Sequence, residues 1–182
     1  PSSHTGNDNY PVDNVTWDKC QTFISKLNNI TGLKFAIPTE AQWEYAARGG
    51  NQSNGTKFSG SSDIKQVAWY NGVVYNPNTP AITGVFAGPR AGSSKEVATL
   101  RSNELGIYDM SGNLYEWCDD WYGTYSSGSS TDPTGPSSGS EKVWRGGCWF
   151  GIDYNSRVSR RVPNTTSSDG NCIGLRLVCT NV

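Results

Sequence analysis

The chain has 182 residues and a formal net charge of -1 at neutral pH, a size that predicts one domain over residues 1–182, with most of its unfolded surface buried. With 15 Lys and Arg against 16 Asp and Glu, no field draws in nucleic acid, and no apolar run approaches the roughly 20 residues of a membrane helix. A soluble domain without membrane insertion and without a nucleic-acid partner is expected.

The polar opening has no charged and apolar leader, so any targeting segment is expected to be already removed or to lie upstream. Thr16 is the predicted N-cap of a helix running to about Asn28, with Trp17, Cys20, Phe23, Ile24 and Leu27 on its inner face. After a turn at Gly32, Thr39-Glu-Ala-Gln42 reads as a capping box, in which Thr39 takes an orphan amide and Gln42 reaches back. It opens a short helix with Trp43, Ala46 and Ala47 inward and a left-handed stop at Gly49-Gly50. From Gly50 to Arg101 the chain is rich in Gly, Ser, Asn and Pro, predicting loops with short strands near 67–70, 73–75 and 82–86. Residues 106–122 concentrate aromatic and acidic side chains, and Gly123 to Ser140 reads as a mobile exposed loop.

A single histidine, His4, and five cysteines (Cys20, Cys118, Cys148, Cys172 and Cys179) in no CxxC spacing leave little material for a histidine metal site or a Ser-His nucleophile. Five is an odd number, so at least one thiol is free or pairs between chains. Cys20 reads as a small core residue. The sequons beginning at Asn14, Asn29, Asn51, Asn54 and Asn164 read as chance in an Asn-rich, Ser-rich chain.

The last tract is different in kind. Trp144-Arg145-Gly146-Gly147 and Ile173-Gly174-Leu175-Arg176-Leu177 frame it, each with glycine beside bulky side chains, as closely packed backbone requires. Between them residues 150–172 follow neither a 3.6 nor a 2.0 period, and apolar, charged and small residues are mixed. That mixture predicts a contact surface whose backbone is held from elsewhere.

Four segments, NVTWDKCQTFISKLN, IPTEAQWEYAARGG, NELGIYDMSGNLYEWCDDWY and VWRGGCW with GLRLV, resemble in order and spacing the sulfatase-modifying-factor domain typified by the formylglycine-generating enzyme. The resemblance covers nearly the whole chain, although the usual first strand is absent from its start. It implies an α+β, C-type-lectin-like fold with two helices, short antiparallel strands and much irregular loop. Enzymes of that family oxidise a substrate cysteine with two cysteines of their own, which bind copper. Those positions fall on Gly151 and Ser156, and neither residue supplies the thiolate that copper or disulfide chemistry needs. No copper and no enzyme activity are therefore expected.

The same scaffold resembles the variable proteins of diversity-generating retroelements, whose diversified residues follow the Arg-Gly-Gly motif. Mutagenesis of their adenine-containing codons never yields Lys, Glu, Gln, Met or Trp, and none of these occurs between Phe150 and Cys172. The resemblance implies a ligand-binding protein of receptor or adhesin type, with a protein or other macromolecular ligand, displayed on a bacterial surface or phage particle. The contact candidates are Phe150, Gly151, Ile152, Tyr154, Asn155, Val158, Arg160, Val162 and Asn164, with Phe150 and Tyr154 as aromatic anchors. Arg157 and Arg161 are expected to be structural donors to carboxylates or carbonyls, Trp149 a core ring, and Pro163 a turn. The alternatives are a catalytically dead structural or assembly domain, and a formylglycine-generating oxidase with displaced cysteines.

The resemblance also implies a structural calcium ion bound by Asp109, Gly112, Leu114 and Glu116, through carboxylates and backbone carbonyls suited to a hard cation. The competing expectation is that Glu116 pairs with an arginine such as Arg157 or Arg176 while Asp109 caps a turn.

Overall fold

The computed structural model describes residues 2–74, 85–86 and 91–180. Helix α1 spans Trp17–Thr31, with the Thr16 side chain accepting from Lys19 N–H and Gly32 closing the end in the left-handed conformation. It runs three residues past the expected end at Asn28, because Gly32 supplies the first left-handed stop. Cys20 and Ile24 are buried, whereas Phe23, expected inward, is 50% exposed.

Strand β1 (Phe35–Ala36) leads to α2 (Glu40–Ala47), where the expected capping box is complete: Thr39 accepts from Gln42 N–H and Gln42 from Thr39 N–H. Gly49 and Gly50 follow with positive φ, and Trp43 and Ala47 are buried as expected.

The middle of the chain contributes pairs of residues: β2 (Ala68–Trp69), β3 (Val73–Val74), β4 (Val85–Phe86) and β5 (Ser111–Gly112), with β2 parallel to β5 and β3 antiparallel to β4. Tyr75 and residues 82–84, expected in strands, lie outside the described residues. Val67 and Tyr70 are buried beside β2 with Phe58 and Ile64.

The main sheet follows, built from β6 (Tyr115–Trp121), β7 (Lys142–Arg145), β8 (Val162–Asn164) and β9 (Ile173–Gly174) in the order β8-β7-β6-β9. β10 (Val178–Cys179) returns to pair with β1. Pro163, expected to fix a turn, instead sits in β8 opposite Val143. β8 is the outer strand of this sheet, where a missing N–H costs no ladder bond.

Alternation along β6 and β7 separates two cores. Tyr115, Trp117 and Trp144 face the α1 side with Val15, Cys20, Ile24 and Ile173. Cys118 and Val143 face the α2 side with Trp43, Ala47, Met110 and Val158. On that second side Arg145 is fully buried and paired with Glu40 and Glu44, and Arg161 reaches Glu40 with two nitrogens, at 2.9 and 2.6 Å. A buried guanidinium is tolerated only with such pairing. Residues 123–140 form no helix or strand, and 124–140 are exposed, with Arg161 donating to the Gly123 carbonyl at the loop's base. Among the described residues no helix is long and apolar enough to cross a membrane.

Candidate ligand surface

Residues 150–172 form a short 3-10 turn at Asp153–Ser156, strand β8 and connecting loops. As the lack of period implied, contacts to distant segments hold their backbone. Trp149 N–H donates to the Asn113 carbonyl at 2.8 Å, Asn71 N–H to the Gly151 carbonyl at 3.0 Å, and Val158 N–H to the Lys57 carbonyl at 3.2 Å. Ser111 Oγ donates to the Ser156 carbonyl at 2.8 Å. Gly147, at φ 75°, lets the turn lie directly on the end of β7: a Cβ there would fall 2.7 Å from Ser156 Oγ and 2.9 Å from the Asn155 carbonyl, so no larger residue fits.

The contact candidates divide. Phe150 is 69% exposed, edge-on to Trp149 at 5.7 Å, and is the best-presented apolar group of the tract. Ile152, Tyr154, Asn155 and Arg160 are half-buried. The Arg157 and Arg160 guanidinium carbons lie 4.6 and 5.0 Å from the Tyr154 ring centre, within cation–π range. Neither Arg157 nor Arg160 is in an ion pair among the described residues, and the buried Nε of each lacks an acceptor. The expectation that Arg157 pairs structurally is therefore corrected, while Arg161 has that role through Glu40. Asn155 Nδ2 donates to Tyr115 Oη at 3.1 Å.

Other candidates belong to the scaffold. Val158 is 2% exposed in the α2-side core, because the turn at Asp153–Ser156 directs the following segment inward. Gly151 is buried and tied by backbone bonds to Cys148 and Asn71. Val162 packs on the α1-side core from its place opposite Trp144. Asn164 Oδ1 accepts from Thr165 N–H and Ser168 Oγ, shaping the next turn. Trp149, expected in the core, is half-buried and donates from Nε1 to the Asn171 carbonyl at 2.9 Å. Its placement beside Phe150, and the lack of an ion pair at Arg157 among the described residues, had no signal in the residue pattern.

The geometry does not fit the calcium ion that the resemblance implies. The positions at which the family's enzymes carry their copper thiols fall on Gly151 and Ser156, both buried here. At the calcium positions, the Glu116 carboxylate accepts from Trp43 Nε1 at 2.7 Å, Arg176 Nε at 2.9 Å and Arg176 Nη2 at 2.8 Å. A guanidinium thus already supplies the positive charge, and a hard cation would have to displace it. Asp109, at φ 59°, accepts from Ala98 N–H at 2.8 Å, and burial pushes its carboxyl above the usual range. Among the described residues no three His, Cys, Asp or Glu side chains come together as metal ligands. The ion-pair expectation for Glu116, with Arg176 as partner, describes the site.

Comparison with known proteins agrees with this architecture. The chain is 30% identical to the formylglycine-generating enzyme of Streptomyces coelicolor over 99% of its own length and 55% of that protein's. It is 35% identical to the chaperone protein LppX of Paenibacillus barcinonensis over 79% of this chain and 49% of that one, so it spans about half the length of these curated relatives. Among solved structures it resembles Treponema denticola variable protein 1, with a TM-score of 0.78, 28% identity, and coverage of 98% of this chain and 75% of that one. PvdO from Pseudomonas aeruginosa shares the fold, with a TM-score of 0.72 at 23% identity, over 97% of this chain and 64% of that one. The sulfatase-modifying factor enzyme 1-like family model matches residues 1–181, and the chain belongs to that family.

Proposed function

We propose that the chain is a non-catalytic ligand-binding module of receptor or adhesin type, presenting a diversified surface to a protein or other macromolecular ligand at a bacterial surface or on a phage particle. The observation that carries this reading is the division of labour in residues 149–160. Their backbone is bonded to distant segments, while Phe150 projects into solvent beside half-buried Trp149, Ile152 and Tyr154. An anchored backbone with exchangeable outward side chains suits a paratope, in which exposed aromatics give large contact area at low entropic cost. The guanidiniums of Arg157 and Arg160 add donors for an acidic or carbonyl-bearing ligand. The likeness to a Treponema denticola variable protein, and glycine and serine at the positions of the family's catalytic thiols, support the same reading over the oxidase named among the relatives.

The test lies in the gene and in one assay. A near-identical second copy of the codons for Trp149 to Ile173, with adenine in the copy at each mismatch and a reverse transcriptase gene alongside, is the expected finding. Conversion of a Cys-x-Pro-x-Arg peptide to formylglycine by the copper-treated protein would overturn the proposal.

A further inference from the structure

Two cysteines bracket the tract, and the fold brings them together. Cys148 follows Gly146-Gly147, whose φ values of 89° and 75° turn the chain out of β7, and Cys172 immediately precedes β9. Because β9 lies parallel to β6 with Ile173 opposite Tyr115, Tyr115 N–H donates to the Cys172 carbonyl at 2.9 Å. On the tract side, Trp149 Nε1 holds the Asn171 carbonyl at 2.9 Å. Cys148 lies in the cluster that contains Tyr115 and Trp144 and Cys172 packs against it, near enough for each thiol to shift the acidity of the other. Cys148 is buried and Cys172 is half-buried.

We propose that Cys148 and Cys172 are a disulfide-forming site that closes residues 149–171 into a covalent loop, with a low-mass disulfide of the oxidised-glutathione class as co-reactant. The proposal goes beyond ligand binding and does not rest on it: the pairing follows from thiol placement whatever the tract binds. The hydrogen bond between Trp149 and Asn171, each next in sequence to one of the two cysteines, holds the two backbones together, so side-chain movement can bring the sulfurs to the roughly 2.05 Å bond of a disulfide.

The order of events follows from exposure and thiolate character. Cys172 is the accessible thiol, and the hydrogen bond from Cys148 lowers its pKa despite its partial burial, which favours the nucleophilic thiolate. Cys172 attacks one sulfur of the co-reactant, breaking its S–S bond and expelling one thiolate. The Cys148 sulfur then attacks Cys172 Sγ, the mixed disulfide breaks, and a second thiolate leaves. Two protein thiols are oxidised to one disulfide, the co-reactant is reduced to two thiols, and the two protein protons end on them. Cys148 is buried and its thiol raised too, but it is the thiol beside Cys172, whereas Cys20 is buried on helix α1 and Cys118 in the α2-side core, with burial pushing the Cys20 thiol up to about 12 and the Cys118 thiol well above its usual value.

The test uses the whole wild-type chain, reduced, incubated with oxidised glutathione, alkylated with N-ethylmaleimide under denaturing conditions and digested with trypsin. Cleavage after Arg145, Arg157, Arg161 and Arg176 separates the Cys148 peptide, residues 146–157, from the Cys172 peptide, residues 162–176. The expected result is one linked species of these two peptides, lighter by two hydrogen atoms than their sum and split by dithiothreitol, with Cys20 and Cys118 alkylated. The oxidised protein should melt roughly 5–10 °C above the reduced one, and Cys172→Ser should remove that difference. Alkylation of both cysteines after oxidant, a stable glutathione adduct on Cys172 beside alkylated Cys148, or linkage of either to another cysteine would overturn the proposal.

Discussion

Replacing Glu116 by Gln keeps the shape of the side chain and removes the charge that Arg176 faces. The Glu116 side chain is 9% exposed and that of Arg176 30%, so the substitution leaves a guanidinium with limited access to water held only by the Tyr108 carbonyl and the field of Asp109. Breaking a buried pair by losing one partner costs about 3–5 kcal/mol. Here the partial exposure of Arg176 permits some solvation, and the amide oxygen of the introduced glutamine still accepts from Trp43, which reduces the expected loss to about 2–3 kcal/mol. At about 2–4 °C per kcal/mol for a domain of this size, Tm should fall by roughly 4–12 °C. Thermal melts of metal-free protein in millimolar calcium and in excess chelator should superimpose for wild type and for Glu116→Gln alike. The reasoning is refuted if calcium raises the wild-type Tm by several degrees and the substitution removes that rise. An ion at about 100-fold saturation adds roughly 2.7 kcal/mol, well above what such melts resolve.

Asp109→Asn tests the neighbouring carboxylate. Burial raises the Asp109 pKa in the folded state, so its ionised form destabilises the fold above that pKa and the penalty disappears as pH falls through it toward the unfolded value. Asn keeps an acceptor for Ala98 and tolerates φ 59°, so the variant should be as stable as wild type or more so at pH 7, with the advantage gone near pH 4 in urea titrations. Phe150→Ser should change Tm by no more than about 2 °C, because a side chain this exposed contributes within roughly 0.5 kcal/mol, while Val158→Asp should prevent folding or abolish the cooperative melt by placing a charge in the α2-side core. Trp117→Ala, which empties a fully buried position and leaves the Val15 carbonyl without its 3.0 Å donor, should cost about 3–5 kcal/mol in chemical denaturation.

What the sequence determined was local or patterned. The Thr16 cap, the reciprocal Thr39–Gln42 box and the glycine stop at Gly49 depend on groups three or four residues apart, so their geometry is written in adjacent letters. The lack of any period between Phe150 and Cys172 likewise announced a tract whose conformation is set from outside. Only the tertiary structure decided which of its side chains turn outward. Phe150, Ile152, Val158 and Val162 are all apolar, yet one ring is solvated and Val158 is core, because the distant groups at Lys57, Asn71 and Ser111 fix the backbone's path. The same holds for the partner of Glu116 and for the meeting of Cys148 with Cys172. The family resemblance implied a metal at Glu116, an arginine was the alternative, and nothing in the spacing suggested that Cys148 and Cys172 share a cluster, since each depends on where β9 lands beside β6, and pairing between strands far apart in sequence is settled by packing of the whole core and not by residues near either partner.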